Sequence, residues 1–212
     1  MTQEKAERAA WPPQPPTRSL RRAWQAWREL WPRFDRMAAA VWYRNWRAWV
    51  RFWRSSVLLN FGEPVMNLLA LGIGLGVHVG AIQGVPFAQY VGPGLLAVTA
   101  MNAVTFDMSF EGYDRLRTTG VYDAMAFSPL SVPQMVGGEL LWEATRSVMY
   151  GATFLAVLAA LGLVASVWAV AVLPVLALVG LVFAEAALVV VSVARSHEHL
   201  FYYFTLAITP MF

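Results

Sequence analysis

Two long stretches of this sequence contain no Asp, Glu, Lys or Arg: residues 64–106, 43 positions, and residues 147–184, 38 positions. One helix crosses the hydrocarbon of a bilayer with about 20 apolar residues, so each stretch has room for two crossings and a turn. Turn signals fall at Gly80, Gly84 and Pro86 in the first stretch, and between Gly162 and Trp168 in the second. The sequence is 58% hydrophobic and only 14% charged, against about 45–50% and about 25% in soluble domains. Too few charges remain to cover a water-facing surface, so an ordinary cytosolic globule is excluded. The predicted fold class is an all-α polytopic membrane protein. Spans are expected at about 64–84, 89–108, 138–161 and 168–194. A fifth apolar run begins at Leu200 and is too short to cross by Phe212, as if the chain were cut within a helix.

Several chemistries are excluded by residue counts. There is no cysteine, hence no thiolate metal site and no cysteine nucleophile. Lys5 is the only lysine and sits in a glycine-free polar tail, whereas a phosphate-cradling Walker A loop needs a lysine directly after its glycines. The chain itself is therefore not expected to hydrolyse ATP, or to bind any cofactor or metal.

Of the 16 basic residues, 12 lie at or before Arg54, as do eight of the 10 tryptophans. Residues 1–36 read as a basic, Pro- and Trp-rich leader, opening on a polar segment predicted to be disordered. It lacks the apolar run of a secretory signal. Residues 38–59 read as an amphipathic helix. Trp42, Trp46, Trp49 and Trp53 are spaced 4, 3 and 4 and fall on one face, while Arg44, Arg47, Arg51 and Arg54 fall nearly opposite. Tryptophan prefers the headgroup level and arginine reaches lipid phosphate or water, so a helix lying in the membrane interface is predicted. A basic nucleic-acid arm has a similar composition. The spans that follow favour membrane lipid, and no nucleic-acid partner is expected.

All the arginines lie in the leader and the 38–59 helix, in residues 107–146, or in the short 195–199 link, and none in the two turns. By the positive-inside rule the N-terminus is cytoplasmic and both turns face outward.

Two apparent motifs are decoys. Gly72, Gly74 and Gly76 imitate a dinucleotide fingerprint but lie within a span, where Gly72, Gly76 and Gly80 have the spacing of close helix packing. His197 and His199 are two apart, whereas a helical zinc pair needs four. Glu139, Glu143 and Arg146 carry more interest, since spacings of 4 and 3 place them on one helix face where Glu143 and Arg146 can pair. Glu185 lies within the fourth span, where an ionisable group is costly. It reads either as functional or as a structural partner of Arg146.

Between the second and third spans, residues 109–134 have a separate character. Asp107, Glu111 and Asp114 form an acidic stripe, followed by Arg115, Arg117 and the breakers Gly120, Pro129 and Pro133. A short helix with exposed aromatics, Tyr122 and Phe127, suits docking of a soluble partner. An ordinary solvated loop is the simpler alternative.

The order of these features resembles the permease subunit of ABC-2-type transporters, most closely the branch of nodulation-factor (lipo-oligosaccharide) exporters. The matching residues include Asn60-Phe61-Gly62-Glu63-Pro64, Leu71-Gly72-Ile73-Gly74-Leu75-Gly76, Gly92-Pro93-Gly94-Leu95-Leu96 and Met101-Asn102. They continue with Tyr122-Asp123-Ala124-Met125, Ser128-Pro129-Leu130, Gly137-Gly138-Glu139-Leu140 and Thr209-Pro210-Met211-Phe212. The resemblance covers residues 37–212. It implies six spans, an interface helix, and a coupling helix between spans two and three that seats in a separate ATP-binding subunit holding ATP and Mg. It also implies a permease homodimer in the cell inner membrane and amphiphilic glycan, glycolipid or drug-like substrates. By the same resemblance Arg117, Tyr122, Asp123, Met125 and Phe127 form the coupling region, and Glu139, Glu143, Arg146 and Glu185 a polar entrance or an inter-helix lock. The sixth span and an outer re-entrant hairpin are missing from the pattern, so a fragment is expected. A membrane-embedded scaffold or enzyme subunit without an ATPase is the alternative.

Overall fold

A computed structural model describes residues 31–70, 74, 76–79, 81–82, 84–164 and 166–211. The Pro-rich opening with Trp24 and Trp27, and Gly72 and Gly80 of the small-residue motif, lie outside the described residues, as do the side chains of Trp53 and Arg54.

Helix α1 spans Arg36–Leu69. Asp35 starts it, its Oδ1 accepting the amides of Met37 at 3.0 Å and Ala38 at 3.1 Å, two of the donors a helix N-terminus leaves open. The helix runs on through Pro64, so the predicted interface helix and the start of the predicted first span are one element. A proline costs the helix one hydrogen bond, which membrane helices tolerate better than soluble ones. Beyond Leu69 the turn predicted in the first charge-free stretch is a two-stranded antiparallel hairpin, β1 (Ala81–Ile82) against β2 (Val85–Pro86), preceded by the single-turn α2 (Gly76–Val79). Gly84 makes its tight turn with φ +83°.

Helix α3 (Phe87–Tyr113) returns and continues into a π-helical turn, Asp114–Thr118. The short α4 (Val121–Ala126) follows, started by Gly120 in the left-handed region at φ +63°. Helix α5 (Val132–Ala160) begins at Ser131, whose amide donates to Gln134 Oε1 at 2.9 Å. Gln134 Nε2 then donates to Asp35 Oδ2 at 2.6 Å, and the Arg33 amide to the Pro133 carbonyl at 2.9 Å, so α1 and α5 start tied together. After a 3-10 turn, α6 (Val172–Val193) antiparallels α5, and α7 (His197–Tyr203) leads into a last helical stretch to Met211.

Helix α5 packs against α1, α3 and α6, and α3 also against α6. Small residues set the closest approaches. A Cβ on Gly138 would lie 2.5 Å from Val41 Cβ and 2.6 Å from the Ala38 carbonyl, and one on Gly180 would lie 2.6 Å from Ser147 Cβ. Apolar packing continues along the bundle, from Leu68, Leu96, Phe154 and Leu176 at one end to Tyr113, Val191 and Leu200 at the other.

Among the described residues one stretch, Val167–Val193, is both long and apolar enough to cross a membrane, where the sequence predicts four. Helices α3 and α5 have the length. Gln89, Thr99 and Asn102 in the first, and Glu139, Glu143 and Arg146 in the second, dilute their apolarity.

Candidate functional site

The polar residues of α5 gather at the end of the bundle where α1 and α5 begin. Glu139 is 2% exposed. Its Oε1 accepts Arg44 Nη2 at 2.9 Å and its Oε2 accepts Asn45 Nδ2 at 2.9 Å, while Arg115 Nη1 pairs with Oε2 from the third side. One carboxylate thus joins α1, α5 and the π-turn after α3. Arg115 also reaches Glu111, Nη2 to Oε2 at 3.1 Å. A buried carboxylate is costly unless paired and hydrogen-bonded, and Glu139 is both.

Arg146, 3% exposed, pairs with Asp107 on α3, reaches Glu111 Oε2 at 3.5 Å and donates to Tyr150 Oη at 3.2 Å. The predicted pairing with Glu143 does not form: Asp107 on the facing helix holds the guanidinium instead. Glu143 is 0% exposed, and neither of its oxygens has a hydrogen-bond partner among the described residues. The predicted pairing of Arg146 with Glu185 does not form either. Helix α6 buries Leu176, Gly180, Ala184, Ala187 and Val191, and Glu185, about 100° round from Ala184, is exposed among the apolar residues of the outer face.

The tryptophan stripe has a partner inside the protein. Trp42 stacks on Trp46 with centroids 5.9 Å apart, and Trp142 of α5 meets Trp46 and Trp49 edge-on at 6.3 and 6.4 Å. Trp42 Nε1 donates to Thr145 Oγ1 at 3.0 Å. On the arginine face Arg47 and Arg51 are exposed, whereas Arg44 flanks the buried stripe Ala38, Val41 and Asn45 and turns in to Glu139. A cavity of about 490 Å³ opens beside this cluster, lined by Arg44, Asn45, Trp49, Glu111, Arg115 and Arg146.

The five residues of the predicted coupling region divide into two sets. Arg117, Asp123 and Phe127 are exposed, Phe127 at 94%. Met125 turns inward, its Sδ accepting Arg44 Nη1 at 2.7 Å, and Tyr122 also points into the bundle with its hydroxyl buried. Burial, together with the Glu139 carboxylate, pushes the Tyr122 phenol above its ordinary pKa. Asn45, Asp107 and Arg115 belong to the ionic cluster but were not singled out as site residues in the sequence. Their one signal is that Asp107, Glu111 and Arg115 recur every four residues on one helix face, a pattern equally suited to a solvated face.

Residues 38–212 match the ABC-2 type transporter family. The chain belongs to that family. It is an integral membrane protein, and its likeness to the nodulation branch is specific. It is similar to nodulation protein J of Bradyrhizobium diazoefficiens, 36% identical over 172 residues, which are 81% of this chain and 66% of that protein. It is also similar to nodulation protein J of Rhizobium leguminosarum bv. viciae, at 37%, and of Rhizobium meliloti, at 38%, with the same coverage. The chain therefore spans about two thirds of the length of these relatives. No solved structure matches it.

Proposed function

We propose that this ABC-2 chain is the permease part of an ATP-driven exporter in the cell inner membrane, with its N-terminus in the cytoplasm. It moves an amphiphilic substrate, and the likeness to the nodulation proteins favours a lipo-oligosaccharide. A separate ATP-binding subunit, holding ATP and Mg, supplies the energy, and two permeases act with two such subunits. The observation that carries this reading is α4, a short helix braced against the bundle through Met125 and Tyr122 that offers Phe127 outward at 94% exposure. An isolated large aromatic on a helix tip is the kind of anchor that protein interfaces bury, and Arg117 and Asp123 add exposed charges in the same segment.

A push on α4 reaches α1 by a short path. Arg44 touches Met125 and Glu139, and Glu139 holds Arg115 at the base of α4. In this reading Glu139 is the inter-helix lock, the cavity beside Arg44 is the polar entrance, and Arg47 and Arg51, with Arg54, meet lipid headgroups. Affinity purification of the full-length permease tests it. Changing Phe127→Ala together with Arg117→Ala should remove the co-purifying ATPase while leaving membrane insertion intact. Normal recovery of the ATPase with the double variant would overturn the docking assignment.

A further inference from the structure

A second cavity, of about 430 Å³, lies beneath α4, between it and helices α5 and α6. Its walls are apolar, with Leu116, Met135 and Leu188 inside and the exposed Val132 and Val189 at its mouth. Besides Ser192 near the mouth, three polar features interrupt them. Among the described residues the buried Tyr122 hydroxyl has no hydrogen-bond partner and Asp123 no ion pair, and Glu139 closes the inner end. Cavities of this size, apolar with a few convergent polar groups, hold small ligands.

The charges discriminate between ligands. Both ionised side chains in the lining are carboxylates, and no Arg, Lys or His contributes. Glu139 is already engaged from its other side by Arg44, Asn45 and Arg115, so Asp123 is the charge left for an occupant. An unpartnered phenol hydroxyl can accept from an N–H, and a carboxylate adds the charge-assisted bond. The Arg44 and Arg115 guanidiniums near the Tyr122 hydroxyl are held by Glu139, so an anionic head beside Asp123 would meet repulsion. The mouth lies at the last two turns of α6, the most apolar helix, so the cavity opens where a chain from the bilayer can enter.

We propose that this cavity binds one apolar chain of an amphiphile together with its amine or ammonium head, the head held by Asp123 and the Tyr122 hydroxyl. The amine comes either from a free amphiphile or from the headgroup of an aminophospholipid. Occupancy wedges the space behind α4, on the side away from Phe127. The binding is a property of the permease alone and does not depend on an ATPase, so its failure and failure of the docking assignment are separable.

The absence of cysteine in the sequence allows a direct test on the full-length permease in phosphatidylcholine vesicles. Ser192, in the cavity lining and bonded only to its own helix at Val189, is replaced as Ser192→Cys and its maleimide labelling rate followed. Val193→Cys, exposed on the same turn but outside the cavity, is the control. Dodecylamine should slow labelling of Ser192→Cys several-fold and leave Val193→Cys unchanged, while dodecanoate protects neither. Tyr122→Phe, which keeps the ring volume, and Asp123→Asn should each raise the dodecylamine needed by about tenfold, the size of one lost charge-assisted bond. Protection in phosphatidylethanolamine vesicles without added amine places the amine on a lipid, and protection that requires dodecylamine places it on a free amphiphile. Either upholds the site. No protection in any arm, equal protection by dodecanoate, or protection indifferent to both variants overturns it.

Discussion

Asp35 and Gln134, 99 residues apart, share a hydrogen bond of 2.6 Å that fastens the first turn of α1 to the first turn of α5. Each also caps its own helix, Asp35 through the amides of Met37 and Ala38 and Gln134 through the amide of Ser131. Two N-terminal caps are thereby a single joint, and the ionic cluster begins deeper, at Arg44 on α1 and Glu139 on α5.

The joint makes stability depend on pH. The Gln134 side chain first, then the Ala38 amide, hold the Asp35 carboxyl below its ordinary pKa. A group depressed on folding contributes stability that is present above its unfolded value, about 3.9, and is lost as pH falls through the folded value. Asp35→Ala should lower Tm at pH 7, and the difference from the parent should shrink steadily below pH 4. Thermal melts of the detergent-solubilised protein at pH 7 and pH 3 check this. An equal difference at both would mean that the charge contributes nothing.

Glu139 should be the most sensitive polar position. Removing one member of a buried ionic group strands the others, at about 3–5 kcal/mol, so Glu139→Ala should approach that loss in a mixed-micelle unfolding titration. Arg44→Ala should cost less, because its side chain keeps 34% of its surface in solvent and Arg115 still engages Glu139.

Glu143 should behave oppositely. Its carboxylate is fully buried with both oxygens unpartnered among the described residues, and burying a polar group without a partner costs about 1–3 kcal/mol on mutational scales. Glu143→Met, apolar and of similar length, should stabilise the protein in the same titration by about 1–2 kcal/mol. A loss of stability would reveal a partner for Glu143 in the working assembly.

Gly138 is required by contact. Gly138→Ala drives a methyl against Val41 and the Ala38 carbonyl and should cost about 1–3 kcal/mol by overpacking. Gly94→Ala in α3 meets nothing within 4 Å, and should be neutral or stabilising by about 0.5–1 kcal/mol through helix propensity. Comparing the yield and melting of the two variants separates the effects.

Much of this organisation is legible along the chain. The charge-free stretches announce a membrane protein, and the turn signals at Gly84 and Pro86 mark the hairpin. The breakers around residues 118–133 isolate α4, and the spacing of Glu139, Glu143 and Arg146 puts three ionisable groups on one face. The family likeness rests on motifs spread over residues 37–212, and residues 38–212 match the family.

Helical spacing defines a face without naming its neighbour, and that is where the tertiary structure decides. Glu143 and Arg146 share a face, yet Asp107 on α3 takes the guanidinium because it stands opposite on a packed helix. The tryptophans of α1 share a face suited to lipid headgroups, and Trp142 of α5 meets them there. Tyr122 and Phe127 look alike as exposed aromatics in sequence. Five positions apart, they project about 140° from each other around a helix, so packing α4 on the bundle buries one hydroxyl and leaves the other ring in the open. Local spacing determined the elements and the composition of each face. Contacts between helices about 30–100 residues apart decided which charges are paired, which are stranded, and which side chains remain for a partner.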